Sequence, residues 1–405
     1  MKTLLCLLSL SFTLPAFFAQ EKYDFSYQID SEVFEQKRKF YVHLPQDYYR
    51  DDQDSFGVIY ILDAQEKAFY DNAKGIIDYL TWNYEIFPMI VVGIHSENRF
   101  KEFIPLDRSL PKEAEENIGQ AENLRTHIET EIFPQIAKDF RPNEFRAILG
   151  HSRGGAFLAN TLFSDKKDLF NAYIGISPAM HFVNHQILDD AQSMIQEKAP
   201  FHTFYFCSYG GLGFHEKYFK TQVDLLDSLF RTYPNSTIDW KMREMEGKTH
   251  WSIVPSAVAQ GIIEMNRAYG LDQFLIEAFA MQEDKPMAEQ ILAYTKGQKK
   301  KLGYIQEPKS YHLRRFGDEF SEIQNHRRAL ELYDLALAKN MYDITSYLRK
   351  ASVYRELKEQ EKAESVYKQA LKILEANGAQ FSEAEIQQHR KRIMKKLENM
   401  RNAKN

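Results

Sequence analysis

The chain has 405 residues, a formal net charge of −5 and a sequence pI near 6.2. That balance offers no positive field to hold a phosphate backbone, which argues against a nucleic-acid-binding protein. With 44% hydrophobic and 27% charged residues it has the make-up of a folded globular chain. Beyond residue 20 no apolar run approaches the ~18 residues of a membrane-spanning helix.

The chain begins Met1-Lys-Thr-Leu-Leu-Cys-Leu-Leu-Ser-Leu, with one lysine, a short apolar run, and alanines at Ala16 and Ala19. This is the layout of a secretory signal peptide. Residues 1–19 are therefore expected to be removed and the protein exported, to the periplasm or the outside. Loss of Lys2 takes the mature charge from −5 to −6. Cys6 leaves with the signal, and Cys207 alone cannot make an internal disulfide, so the exported fold must rely on its core.

From residue 20 to about 270, short apolar runs alternate with amphipathic stretches. The runs are Phe40-Tyr-Val-His-Leu44, Gly57-Val-Ile-Tyr-Ile-Leu62, Met89-Ile-Val-Val-Gly-Ile94, Arg146-Ala-Ile-Leu-Gly150, Ala172-Tyr-Ile-Gly-Ile176 and Thr203-Phe-Tyr-Phe-Cys207. Several are apolar at every position, as strands buried on both faces of a parallel sheet must be. Stretches such as 121–140 and 156–169 read as helices between them. The alternation predicts a doubly wound, mostly parallel α/β sheet.

Past residue 270 the strand signals stop. Residues 271–309 read as a helical linker, with a solvated lysine run at Lys296-Gly-Gln-Lys-Lys-Lys-Leu302. Residues 310–405 hold an internal repeat. Gly317, Phe320, Ala329, Tyr333 and Ala336 recur 34 positions later as Ala351, Tyr354, Ala363, Tyr367 and Ala370. That period, with small residues where paired helices approach, resembles the tetratricopeptide repeat. The basic amphipathic stretch 382–404 would serve as the capping helix. Because repeat helices contact mainly their neighbours, residues 20–270 are expected to keep their chemistry without this region.

The most informative stretch is Gly150-His-Ser-Arg-Gly-Gly155, preceded by a strand-like run and followed by a small-residue helix. A serine on a strained strand-to-helix turn, flanked by glycines, presents its hydroxyl at the carboxyl edge of the sheet. The helix that follows brings a backbone N–H and a partial positive charge to a developing oxyanion. Ser152 is thus the candidate nucleophile. It needs a base, and His250, in the loop after the strand-like 236–243, is better placed than His312, His326 or His389 in the repeats. The acid stays open. Glu216 is the first carboxylate after the 203–207 run, and Asp224 and Asp227 follow on a helix. A Ser–His dyad, or a backbone carbonyl holding the imidazole, is the alternative.

These segments resemble the esterase branch of the α/β hydrolases that includes esterase D and the siderophore trilactone hydrolases. The likeness covers roughly residues 25–265. It rests on Tyr41-Val-His-Leu-Pro, Val58-Ile-Tyr-Ile-Leu-Asp-Ala-Gln65, Ile90-Val-Val-Gly-Ile-His-Ser-Glu-Asn-Arg99, the Ser152 motif, Ile176-Ser-Pro178 and Glu246-Gly-Lys-Thr-His250-Trp-Ser. The resemblance implies an oxyanion site made by the backbone N–H of Arg153 with that of Ala64 or Gln65. It also implies that the acid should come soon after a glycine, whereas here Gly210-Gly-Leu-Gly-Phe-His delays it to Glu216. Arg153, Arg99, Trp251 and Phe69 would shape specificity, with an arginine binding a substrate carboxylate or catecholate, or else forming a salt bridge across the cleft rim.

The expectation is a serine esterase acting on a small-molecule or polysaccharide ester through an acyl-enzyme. No paired His or Cys spacing suggests a metal, and no cofactor is expected. Two other classes stay open. One is a binding or scaffold protein of the same fold working through a protein partner on its repeats; the other is an acyltransferase, peptidase or thioesterase on the same site.

Overall fold

The computed structural model describes residues 22–50 and 54–402. The signal-peptide reading of residues 1–19, with Cys6, lies outside the described residues.

Among the described residues eight strands form one sheet: β1 (Asp24–Ser31), β2 (Gln36–His43), β3 (Phe56–Ile61), β4 (Met89–Ile94), β5 (Pro142–His151), β6 (Ala172–Ile176), β7 (Thr203–Gly210) and β8 (Ile238–Met245). Their spatial order is β1-β2-β4-β3-β5-β6-β7-β8. From β4 across to β8 all neighbours run parallel, while β1 and β2 pair antiparallel at one edge. Strands β3, β4, β6 and β7 are buried at every residue, which explains their unbroken apolar sequence. β1 differs. It alternates partly buried Phe25, Tyr27 and Ile29 with exposed residues, as an edge strand packed on one face does, and so it is absent from the apolar runs.

Two cores sandwich the sheet. On one face Leu124, Ile128, Phe157, Ile187 and Val223 bring in helices Ala121–His127, Arg153–Leu162, Gln186–Gln196 and Phe214–Thr232. On the other, Tyr70, Ile77, Val258 and Met265 bring in helices Lys67–Trp82 and Val254–Tyr269. Helices on both faces of a mainly parallel sheet make a doubly wound α/β architecture of the α/β-hydrolase kind.

The rest of the described chain is helical. The 34-residue offset falls on two helical hairpins, Ser310–Glu322 with His326–Lys339 and Ile344–Glu356 with Gln360–Ala376, followed by helix Glu383–Asn402. Gly317 is needed where the first pair crosses, since a Cβ there would lie 2.6 Å from the Tyr333 ring.

The lysine run requires a correction. It lies inside helix Met287–Leu302, and the helix is docked on the sheet. Lys301 pairs with Asp239 at 3.3 Å, its carbonyl lies 3.1 Å from His202 Nδ1, and Leu302 is buried in the sheet core. Tyr304 then packs on Phe145 at 5.3 Å, and the Gln306 N–H donates to the Tyr269 carbonyl at 2.6 Å. Charge marks the exposed side of this helix and hides the buried side from a composition-based reading. Further along, Lys309 pairs with Asp54 and the Tyr311 hydroxyl donates to Asp47 at 2.8 Å, so a boundary at residue 270 cuts through packed structure. Leu302→Ala should therefore cost about 2–5 kcal/mol in chemical denaturation, as for a buried leucine. In a solvated linker the same change would stay within about 0.5 kcal/mol.

Candidate active site

The site is built at the carboxyl ends of β3, β5, β6, β7 and β8. β5 ends at His151, and Ser152 turns the chain with φ +59° and ψ −116° into helix Arg153–Leu162. Few non-glycine residues adopt this region, and holding one there costs on the order of 1–3 kcal/mol. Two hydrogen bonds hold it: the Ser152 N–H to the Ile176 carbonyl at 2.9 Å, and the Ala179 N–H to the Ser152 carbonyl at 3.1 Å. The helix crosses the strand so closely that a Cβ on Gly150 would meet the Gly154 carbonyl carbon at 2.6 Å, and one on Gly155 would meet Pro178 at 3.0 Å.

His250 sits in the loop between β8 and helix Val254–Tyr269. The loop is pinned by the Thr249 N–H to Ser252 Oγ at 2.9 Å. Glu216 lies in the first turn of helix Phe214–Thr232, entered through Gly213 at φ +98°. That entry swings the carboxylate back under the sheet edge, despite the glycine-rich stretch before it. Glu216 is fully buried, and its Oε1 lies 2.7 Å from His250 Nδ1. Its other oxygen accepts from Ser177 Oγ at 2.9 Å and from the Gly210 N–H. A carboxylate only accepts, so Nδ1 carries the hydrogen and Nε2 is left with its lone pair. Asp224 and Asp227 are engaged elsewhere, with Tyr209 and Lys220 and with Trp240 respectively.

Of the three backbone donors read from the sequence, Ala64 must be withdrawn. Its N–H donates to the Ile94 carbonyl at 3.0 Å and has no second hydrogen to offer an oxyanion. The N–H groups of Gln65 and Arg153 make no hydrogen bond among the described residues. The Gln65 turn is held by its own side chain, which donates to Asp63 at 2.7 Å and accepts from the Ser96 N–H at 2.9 Å.

Arg99 lines the cleft and makes the salt bridge that is its other reading. Its Nε and Nη2 grip both Asp63 oxygens at 2.9 Å, so this edge of the fork is occupied within the protein. Trp251, 75% exposed, stands with Phe69, Arg99, Glu66 and His151 around an open cleft of about 500 Å³. Arg153 is different. Its guanidinium lies between the Phe100 ring at 4.1 Å and the Phe182 ring at 4.9 Å, and its Nε is buried with no hydrogen-bond partner among the described residues. Burial, then the charge of Arg99, lower its pKa.

Sequence reasoning passed over Ser177, Phe100, Phe182 and the side chain of His151. Ser177 and His151 stood inside quoted motifs, but nothing in a linear pattern tells which way such side chains turn.

Comparison with known proteins finds a likeness to esterases in the sheet region. Residues 31–209 match the family model described as "Putative esterase". A 142-residue stretch is 31% identical to the ferri-bacillibactin esterase BesA of Bacillus subtilis, covering 31% of this chain and 49% of that one. The chain thus spans about half the length of that relative. Among solved structures, an IroE-like serine hydrolase from Shewanella oneidensis superposes with a TM-score of 0.64 at 19% identity, over 78% of this chain and 99% of the other. An uncharacterised protein from Capnocytophaga ochracea gives 0.61 at 15% identity, over 86% and 93%. At those identities the two structures support the fold, including part of the C-terminal helices.

Gly150→Ala should separate the elbow from ordinary packing. The clash is with backbone, so the turn itself must shift, at about 1–3 kcal/mol of stability. Turnover is expected to fall by at least about 10²-fold, because Ser152 moves with the turn. A variant with normal turnover would show that the close crossing is dispensable.

Proposed function

We propose that the protein is an exported serine esterase that works through an acyl-enzyme on Ser152, with His250 as general base and Glu216 as its orienting acid. The observation that carries this reading is the 2.7 Å contact between buried Glu216 and His250 Nδ1, at the end of a sheet whose central strand presents Ser152 on a strained turn. Glu216 makes this contact despite its late position after the glycine-rich stretch 210–213.

In this mechanism His250 Nε2 accepts the Ser152 proton as Oγ attacks the ester carbonyl. The oxyanion is met by the N–H groups of Gln65 and Arg153, the second at a helix N-terminus. Collapse releases the alcohol, which takes the proton from His250, and water repeats the cycle to free the acid and restore Ser152. Glu216 steadies the imidazolium through its contact with Nδ1.

For substrate we propose an ester bearing an anionic group, of the siderophore type named for BesA. Support comes from Arg153, whose buried Nε has no hydrogen-bond partner among the described residues, while Asp63, the carboxylate acting on it, is gripped by Arg99. We read the two C-terminal hairpins as tetratricopeptide-type repeats that offer a surface to a protein partner, and residues 1–19 as the signal that exports the chain.

Three variants test the chemistry on p-nitrophenyl esters. Ser152→Ala should lose on the order of 10⁶ in turnover and all labelling by a fluorophosphonate. Glu216→Gln should lose about 10⁴, because an amide can donate to the imidazole and hold the wrong tautomer. Asp224→Asn should be nearly silent; the reverse order for the two acids would overturn the assignment. For specificity, Arg153→Gln should raise KM about tenfold or more for a hemisuccinate ester, the usual value of a charged hydrogen bond. It should leave a neutral butyrate ester unchanged, because the Arg153 N–H is retained. Equal effects on both esters would remove Arg153 as an anion reader.

A further inference from the structure

We infer that His151 is a positioning residue that fixes the base relative to the nucleophile, through a hydrogen bond from its ring to the backbone of His250. The inference rests on the reading of His250 as the base.

His151 is the last residue of β5, and the next residue is Ser152. Its Nε2 lies 2.9 Å from the His250 carbonyl oxygen. A carbonyl cannot donate, so Nε2 carries the hydrogen. One strand end therefore holds both partners, the nucleophile by a peptide bond and the base by a hydrogen bond. Glu216 sets the rotation of the His250 ring from Nδ1, but it reaches the site from a different helix. The other backbone bonds of the His250 loop are internal, such as Ile253 N–H to the Thr249 carbonyl at 3.0 Å, or run to the segment after β7, where the Leu212 N–H donates to the Lys248 carbonyl at 2.9 Å. They give the loop a shape without tying it to β5. The bond from His151 supplies that tie.

The arrangement also suits the chemistry. The two imidazole centroids are 4.4 Å apart, so a positive His151 would oppose the imidazolium that forms on His250. Burial, followed by the charges of His250 and Arg99, pushes the His151 pKa down to about 3, which keeps it neutral through the working range. The other groups facing His250 are Glu216, His215 with its ring centroid 5.8 Å away, and the rings of Trp251 and Phe219. Of these Glu216 is in direct contact, its Oε1 2.7 Å from His250 Nδ1.

The test uses the reach of side-chain amides. In Gln the amide nitrogen falls near the position of histidine Nε2; in Asn it falls near Nδ1, too short for the His250 carbonyl. Full-length His151→Gln should keep kcat within about threefold, while His151→Asn and His151→Phe should lose about 10²-fold in kcat at nearly unchanged KM, as expected of a displacement near 1 Å. A structural role alone would not distinguish Gln from Asn. Equal kcat in the Gln and Asn variants, a loss that falls on KM, or a Gln variant that does not fold would each overturn the inference. His250→Ala is run alongside. If that variant stays active, the base assignment fails; if it is inactive while His151→Asn and His151→Phe turn over normally, only the role of His151 fails.

Discussion

Everything at this site depends on how closely β5 and the helix after it can pass. Ser152 has to leave the strand in a left-handed conformation and enter a helix within one residue. That is possible only because Gly150 and Gly155 remove side chains from the crossing. The strain is local, and the bonds that hold it come from the next strand, through Ile176 and Ala179. A single turn thereby sets Ser152, the first N–H of the helix and the end of β5 in fixed relation. The rest of the site is arranged around that point.

Electrostatics then distinguishes charges that are spent from one that is not. Glu216 is fully buried, with one oxygen anchored by Ser177 and Gly210 and the other turned to His250, so it acts as an acceptor of fixed direction. Asp63 is consumed by Arg99 and Gln65, which locks the turn carrying the Gln65 N–H. A similar device supports the short helix Arg99–Glu102: buried Glu102 accepts from Arg38 at 2.8 and 2.7 Å and from Ser96 at 2.9 Å. Burial alone would raise the Glu102 carboxyl, but these donors hold it below its usual range. Its contribution to stability is therefore present at neutral pH and fades as acid protonates it. Arg153 is gripped by no such carboxylate among the described residues, and its Nε is left without a hydrogen-bond partner there.

The C-terminal helices belong to the same physical object as the sheet. Leu302 enters the core between sheet and helix, Tyr304 caps Phe145, and Tyr311 bonds Asp47. Beyond these contacts each hairpin packs on the next, with small residues at the crossings, so the region can be long without a single large core.

The sequence by itself determined what local pattern can encode. The doubly buried strands were legible because every position must be apolar. The elbow was legible because glycine spacing around Ser152 has few other uses, and the hairpins because their period repeats. What only the tertiary structure decided was direction and competition. Glu216 and Asp224 both follow β7 on one helix, but the turn at Gly213 points the first at His250 and leaves the second with Lys220. Ala64 and Gln65 are adjacent, yet only the N–H of Ala64 is taken by Ile94. Arg99 and Arg153 look alike in a chain of letters, and differ because Asp63 can be reached in bidentate fashion by one of them. Each of these outcomes depends on a donor or acceptor supplied by a residue distant in sequence, and a one-dimensional pattern carries no record of which partner arrives first.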